Sequence, residues 1–114
     1  LEKNYHQLKN KFYRKGFFMS AGYVIAQLKV TNSENYKEYV NKVTEIVKKF
    51  GGEYLVRNGE FKCVEGENKF PRLVIIKFST YEKALEWYNS DEYKPIKKIR
   101  LENSEGSNII VKGI

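Results

Sequence analysis

Arg57 closes the run GGEYLVR and stands directly before Asn58-Gly59. A guanidinium at a strand end, just ahead of a turn, is a rigid fork that grips a carboxylate or a phosphate through two parallel hydrogen bonds. The plainer alternative is a surface arginine paired with Glu53, Glu60 or Glu65. Tyr54, in the same run, joins Arg57 as a ligand-binding candidate. Gln27 and Lys29 fall on the second face of a strand whose first face is apolar, where an unpaired polar group would cost about 1 to 3 kcal/mol. They must meet water, a partner or a ligand, unless an internal hydrogen bond or a strand-end salt bridge satisfies them. In the stretch WYNSDEY the chain leaves a helix and turns. Tyr88, Ser90 and Tyr93 are candidates there, the tyrosine hydroxyls to orient a ligand, with core packing and capping as their ordinary duties.

Other chemistries lack their parts. The chain has one histidine, His6, and one cysteine, Cys63. After Met19 there is no histidine, so no Ser-His-Asp or Cys-His arrangement and no His-held haem can be assembled. No Cys/His cluster has metal-ligand spacing, and neither metal nor cofactor is expected. Gly51-Gly52 and Asn58-Gly59 read as stop and turn signals rather than phosphate loops. Cys63 sits in an alternating stretch and reads as a plain strand residue. Any reaction would rest on Arg57, tyrosines, lysines or carboxylates.

These residues need elements to position them. From Gly22 to Thr31 the sequence alternates, with Val24, Ala26, Leu28 and Val30 on one face and Tyr23, Ile25, Gln27 and Lys29 on the other. Asn32 caps a helix with Tyr36, Tyr39, Val40, Val43, Ile46, Val47 and Phe50 at helical spacing, stopped by Gly51-Gly52. Glu53–Val56 and Phe61–Glu65 flank Asn58-Gly59 and read as a hairpin. RLVIIKFS after Pro71 is a strand. Thr80 caps a second helix with Tyr81, Ala84, Leu85 and Tyr88 inward. A short helix forms near Pro95, and NIIVK is the last strand. The order is β-α-β-β-α-β, an α+β fold of ferredoxin-like type with the helices on one face of an antiparallel sheet. The strands carry apolar residues on both faces, so the face with Tyr23, Ile25, Leu73 and Ile75 needs a cover, and a second copy of the chain is the simplest one.

A chain of 114 residues suits one domain. Of its formal charge of +7, the first 18 residues hold +4, so the domain expected over residues 19–114 is only mildly basic. Residues 1–18 read as a basic leader, either upstream sequence or residues introduced with an expression vector. One cysteine and no apolar run of membrane-spanning length point to a soluble, cytoplasmic protein. Nucleic acid is not the expected partner: the strand RLVIIKFS offers aliphatics where an RNA-recognition sheet carries stacking aromatics.

GYVIAQLKV, GGEYLVRNGE, PRLVIIKF and WYNSDEY with Arg100 downstream together resemble a bacterial family, domain of unknown function thirteen-thirty, of the dimeric α/β-barrel superfamily. The resemblance covers nearly all of residues 20–114. It implies a homodimer whose two sheets face each other, with small-molecule pockets between sheet and helices. The superfamily includes cofactor-free monooxygenases, lactone isomerases and haem enzymes, so it implies no single reaction. Three stretches depart from the family pattern: YLVRNG, IKFST and SDEY stand where YLVR-G-G, IEFPS and SPEY are usual. Lys77 in the second cannot serve as a carboxylate. The expected function is binding of a small anionic or carbonyl-bearing molecule, with cofactor-free isomerase or monooxygenase-like chemistry as its reactive form. A non-catalytic binding or stress-accessory homodimer is the alternative.

Overall fold

The computed structural model describes residues 20–114, so the leader and its boundary at Met19 lie outside the described residues. Four strands, β1 (Gly22–Val30), β2 (Glu53–Arg57), β3 (Arg72–Phe78) and β4 (Ser104–Lys112), form one sheet in the order β2-β3-β1-β4. All neighbours are antiparallel. β1 and β2 therefore run parallel with β3 between them, the split arrangement that the ferredoxin-like fold requires.

Three helices follow from local signals. Helix α1 (Ser33–Lys49) begins where Asn32 Oδ1 accepts from the Asn35 N–H at 3.1 Å, and ends before Gly51, whose φ of 80° a side chain would resist. Helix α2 (Tyr81–Tyr88) is capped by Thr80 Oγ1, which accepts from Lys83 N at 3.0 Å. Helix α3 (Lys94–Glu102) carries Pro95 in its first turn, where the missing N–H costs nothing. Asn32→Ala is expected to lower stability by about 1 kcal/mol, read as a shift of the urea midpoint at constant slope.

The period-two pattern of β1 sorts its side chains as the sequence demands. Val24, Ala26 and Leu28 are buried under the helices with Ile76 and Phe78, while Tyr23, Ile25, Leu73 and Ile75 stay half-buried on the bare face. Tyr39, Val43 and Val47 of α1, Ala84 and Trp87 of α2, and Ile96 of α3 complete the core. In α2 the deepest aromatic is Trp87, not Tyr88, which is half-buried. Trp87 stacks on Tyr93 at 4.3 Å between ring centroids and lies 5.5 Å from Phe78. β4 starts at Ser104, earlier than NIIVK suggests. Gly106 permits the extension: its φ is 142°, and a Cβ there would lie 2.1 Å from the Gln27 carbonyl oxygen.

The hairpin expected around Asn58-Gly59 does not form, and Phe61–Glu65 is not a strand. A two-residue turn of that type needs positive φ at both central residues, and here Asn58 has it (56°) while Gly59 does not. Asn58 instead donates its N–H to Leu73 O at 2.8 Å, and the chain leaves the sheet. Cys63 is accordingly exposed in a loop. Among the described residues no helix is long and apolar enough to cross a membrane.

Candidate functional site

An irregularity in β2 aims Arg57. Tyr54 pairs with Ile76 and Arg57 with Val74, with a register shift between Tyr54 and Val56. Residues three apart on a regular strand point to opposite faces. The bulge restores both to the helix-covered side. The Arg57 guanidinium then lies 4.4 Å over the Tyr54 ring, with Nη2 3.4 Å from the Val40 carbonyl of α1. Arg57 as a whole is exposed, at the mouth of a crevice between the sheet and the helices.

Two further arginines line that crevice. Arg72 opens β3 opposite Leu28 and sits 5.5 Å over the Tyr36 ring. Arg100 lies four residues after Ile96, hence on the same inward stripe of α3, and is only 4% exposed. Its Nε donates to the Tyr93 hydroxyl at 3.4 Å, and that hydroxyl lies 2.8 Å from the Tyr39 hydroxyl. Asn108, opposite Ala26 in β4, completes the polar lining. Val24, Ala26, Leu28, Val43, Tyr36, Tyr39 and Trp87 supply the apolar walls. About 430 Å³ of atom-free space lies between these walls, counted to the open mouth, but only about 30 Å³ of it is roomy enough for water, space for one small ion or a carboxylate group. A second crevice of about 210 Å³ shares Leu28, Arg100 and Asn108 with the first and reaches Tyr88, Ser104 and Ser107.

The guanidiniums are held by ring faces and hydroxyls rather than by carboxylates. Among the described residues the ion pairs are lysine–carboxylate contacts on the outer surface, Lys37–Glu34, Lys42–Glu38, Lys49–Glu92, Lys83–Glu86 and Lys98–Glu102. Arg57, Arg72 and Arg100 take part in none, and no pairing of Arg57 with Glu53, Glu60 or Glu65 is present. A ring face positions a cation without cancelling its charge. Burial alone would pull the Arg100 pKa down, but the hydroxyls of Tyr93, Tyr39 and Tyr88 outweigh it and leave it above the ordinary value. Arg100 stays charged.

The tyrosines stay neutral. Burial pushes Tyr36, Tyr39, Tyr54 and Tyr93 above their usual pKa, Tyr39 furthest, although nearby arginines pull the other way. As neutral phenols they keep hydroxyl protons that can be donated. A raised folded-state pKa means stability that is complete below the unfolded tyrosine value and lost above it. The fold is therefore expected to weaken as pH rises beyond about 10, a loss that Tyr39→Phe reduces in alkaline melts, while anion affinity stays level from about pH 6 to about pH 9.

The structure places Arg57 and Tyr54 at the first crevice and Tyr88 at the second. Tyr93 reaches the first through its bond to Arg100. Ser90 is occupied in the turn, donating to Trp87 O at 2.8 Å and accepting from Tyr93 N at 3.1 Å. Gln27 and Lys29 lie on the bare face of the sheet, away from both crevices. Arg72, Arg100 and Asn108 are not among the ligand-binding candidates read from the sequence, although Arg100 is one of the residues that carry the family resemblance. For Arg100 the signal was present: a charged residue at an inward position of an amphipathic helix.

The family model described as "Domain of unknown function (DUF1330)" matches residues 21–114. No curated protein matches the chain. Among solved structures, a protein of unknown function from Rhodopseudomonas palustris is similar, at 13% identity and a TM-score of 0.66 over 91% of this chain and 90% of that one. Its methylated form gives 14% identity and a TM-score of 0.70 over 93% and 91%. A Caulobacter crescentus protein provisionally described as an antibiotic biosynthesis monooxygenase gives 16% identity and a TM-score of 0.56 over 88% and 93%. Likeness at this identity shows a shared ferredoxin-like fold.

Proposed function

This chain belongs to the family described as domain of unknown function DUF1330, and since membership brings no stated activity, we propose from the crevice itself that the protein binds a small organic anion between its sheet and its helices. One observation carries the reading: Arg100 is 4% exposed, stays charged, and has no carboxylate paired with it among the described residues. An unpaired buried charge costs several kcal/mol, so a fold that keeps one has a use for it. A carboxylate reaching Arg100 would be gripped in an apolar, partly enclosed space where charge attraction is strongest.

Binding is favoured over catalysis because, among the described residues, the first crevice is lined by no carboxylate, cysteine or histidine, and the adjoining one by a single carboxylate, Glu105. Cofactor-free isomerase or monooxygenase-like chemistry, the second being the activity ascribed to the Caulobacter protein, would have to proceed in the first crevice without a neutral-pH base. A non-catalytic binding protein needs no such group.

Self-association through the bare sheet face is the second part of the proposal. Leu55, Ile109 and Val111 are 49%, 55% and 42% exposed, beside half-buried Ile25, Leu73 and Ile75. Apolar side chains concentrated on one sheet face suit a second copy stacked face to face.

Calorimetric titration of small carboxylates tests the binding site. Arg57→Ala is expected to weaken binding about tenfold or less and to leave stability nearly unchanged, because a charge at the rim acts mainly on association rate. A carboxylate that binds this variant as tightly as the parent would remove Arg57 from the site.

A further inference from the structure

Buried polar atoms without a hydrogen-bond partner are rare, and each calls for a reason. Among the described residues the side-chain atoms of this kind are Arg72 Nε, Trp87 Nε1, Arg100 Nη2 and Asn108 Oδ1. All belong to residues lining the same crevice. The first three are donors, two of them on cations, and the last is an acceptor. Resting on the anion-binding reading above, we propose that the occupant is a short 2-hydroxycarboxylate, with its carboxylate on the guanidiniums and its hydroxyl donating to Asn108 Oδ1.

The inventory of the ligand matches that of the wall. The carboxylate and hydroxyl oxygens together present three acceptor atoms to the three unpartnered donors. The hydroxyl proton supplies the donor that Asn108 lacks. A plain carboxylate would leave Asn108 unpaired, and a 2-oxo acid would set a second acceptor against it. An amino acid also brings a donor, but as an ammonium placed among Arg57, Arg72 and Arg100, where like charges repel. Size sets the chain length. About 30 Å³ of the crevice is roomy and takes the carboxylate, so the hydroxyl-bearing carbon and any longer substituent lie toward the adjoining space of about 210 Å³, which Arg100, Asn108 and Glu105 line.

Trp87 is the only tryptophan of the chain and its indole faces this crevice, so its fluorescence reports occupancy directly. Glycolate, acetate and pyruvate, whose ketone stays mainly unhydrated in neutral water, are titrated into the full chain and into Asn108→Leu, with melting temperature as a second readout. Glycolate is expected to bind about tenfold tighter than acetate, the worth of one added hydrogen bond. In Asn108→Leu the glycolate-to-acetate ratio is expected to fall to about one, whatever the affinity for either acid. Equal affinity for glycolate and acetate in the parent chain overturns the hydroxyl assignment and leaves the anion site standing. Preference for pyruvate overturns it as well, because the Asn108 amide would then present its nitrogen. No response to any of the three acids overturns the anion reading itself. The glycolate-to-acetate ratio in the parent decides the matter even if the variant does not fold.

Discussion

Arg100→Met is expected to fold at least as stably as the parent chain and to bind small carboxylates about 30-fold to several thousand-fold more weakly, the range given by losing roughly 2 to 5 kcal/mol of contact with a buried charge. The two halves of that result belong together. Methionine matches the length of the arginine stem, and replacing an uncompensated buried charge by an apolar side chain is commonly neutral or stabilising. The Tyr93 hydroxyl, now free of Arg100, keeps its partner in Tyr39 at 2.8 Å, so no new unpaired group is created by the change. A purely structural arginine would behave oppositely, with a stability loss in urea melts and no ligand effect. Because every other charge at the crevice sits nearer the solvent, Arg100 is the position at which this contrast is largest.

Ile109→Lys is expected to convert a dimer to a monomer. The Ile109 side chain is 55% exposed on the bare sheet face and lies opposite Ile25 across the β1–β4 pair, on the edge strand that flanks the apolar residues of β1 and β3. A lysine there replaces an exposed apolar contact by a charge that a stacked-sheet interface would have to strip of water with no partner, a cost of several kcal/mol. Sedimentation equilibrium should show the parent as a dimer at micromolar concentration and the variant at half that mass, with circular dichroism unchanged. A monomeric parent chain would remove the face-to-face model without touching the crevice.

The elements were legible in sequence because each carries two agreeing signals. Asn32 and Thr80 cap helices whose inward faces repeat at helical spacing, and β1 alternates without a break from Val24 to Leu28. What failed to show were features decided by the backbone of neighbours. The Asn58-Gly59 hairpin depends on the φ of Gly59, which nothing in its own identity sets. The bulge that turns Arg57 toward Tyr54 depends on how β2 registers against β3. Arg57 and Tyr54 were found by their types and position, yet the reason they share a face was not visible. Arg72 and Asn108 were missed because each occupies an ordinary strand position, and only the sheet order β2-β3-β1-β4 brings them beneath α1 and α3. Tyr88 packs against the core half-buried as its inward position requires, but Trp87 lies deeper because its larger indole fills the space against Phe78 and Tyr93.

Crystals grown in sodium bromide and measured at the bromine absorption edge test the central claim most directly, since a halide needs no more room than the crevice offers and its anomalous signal marks its place. The account predicts a bromide between sheet and helices within hydrogen-bond reach of Arg100 Nη2, the buried guanidinium nitrogen that has no partner among the described residues. Bromides found only on the exterior lysines, with the Arg100 guanidinium paired to a carboxylate, would contradict it.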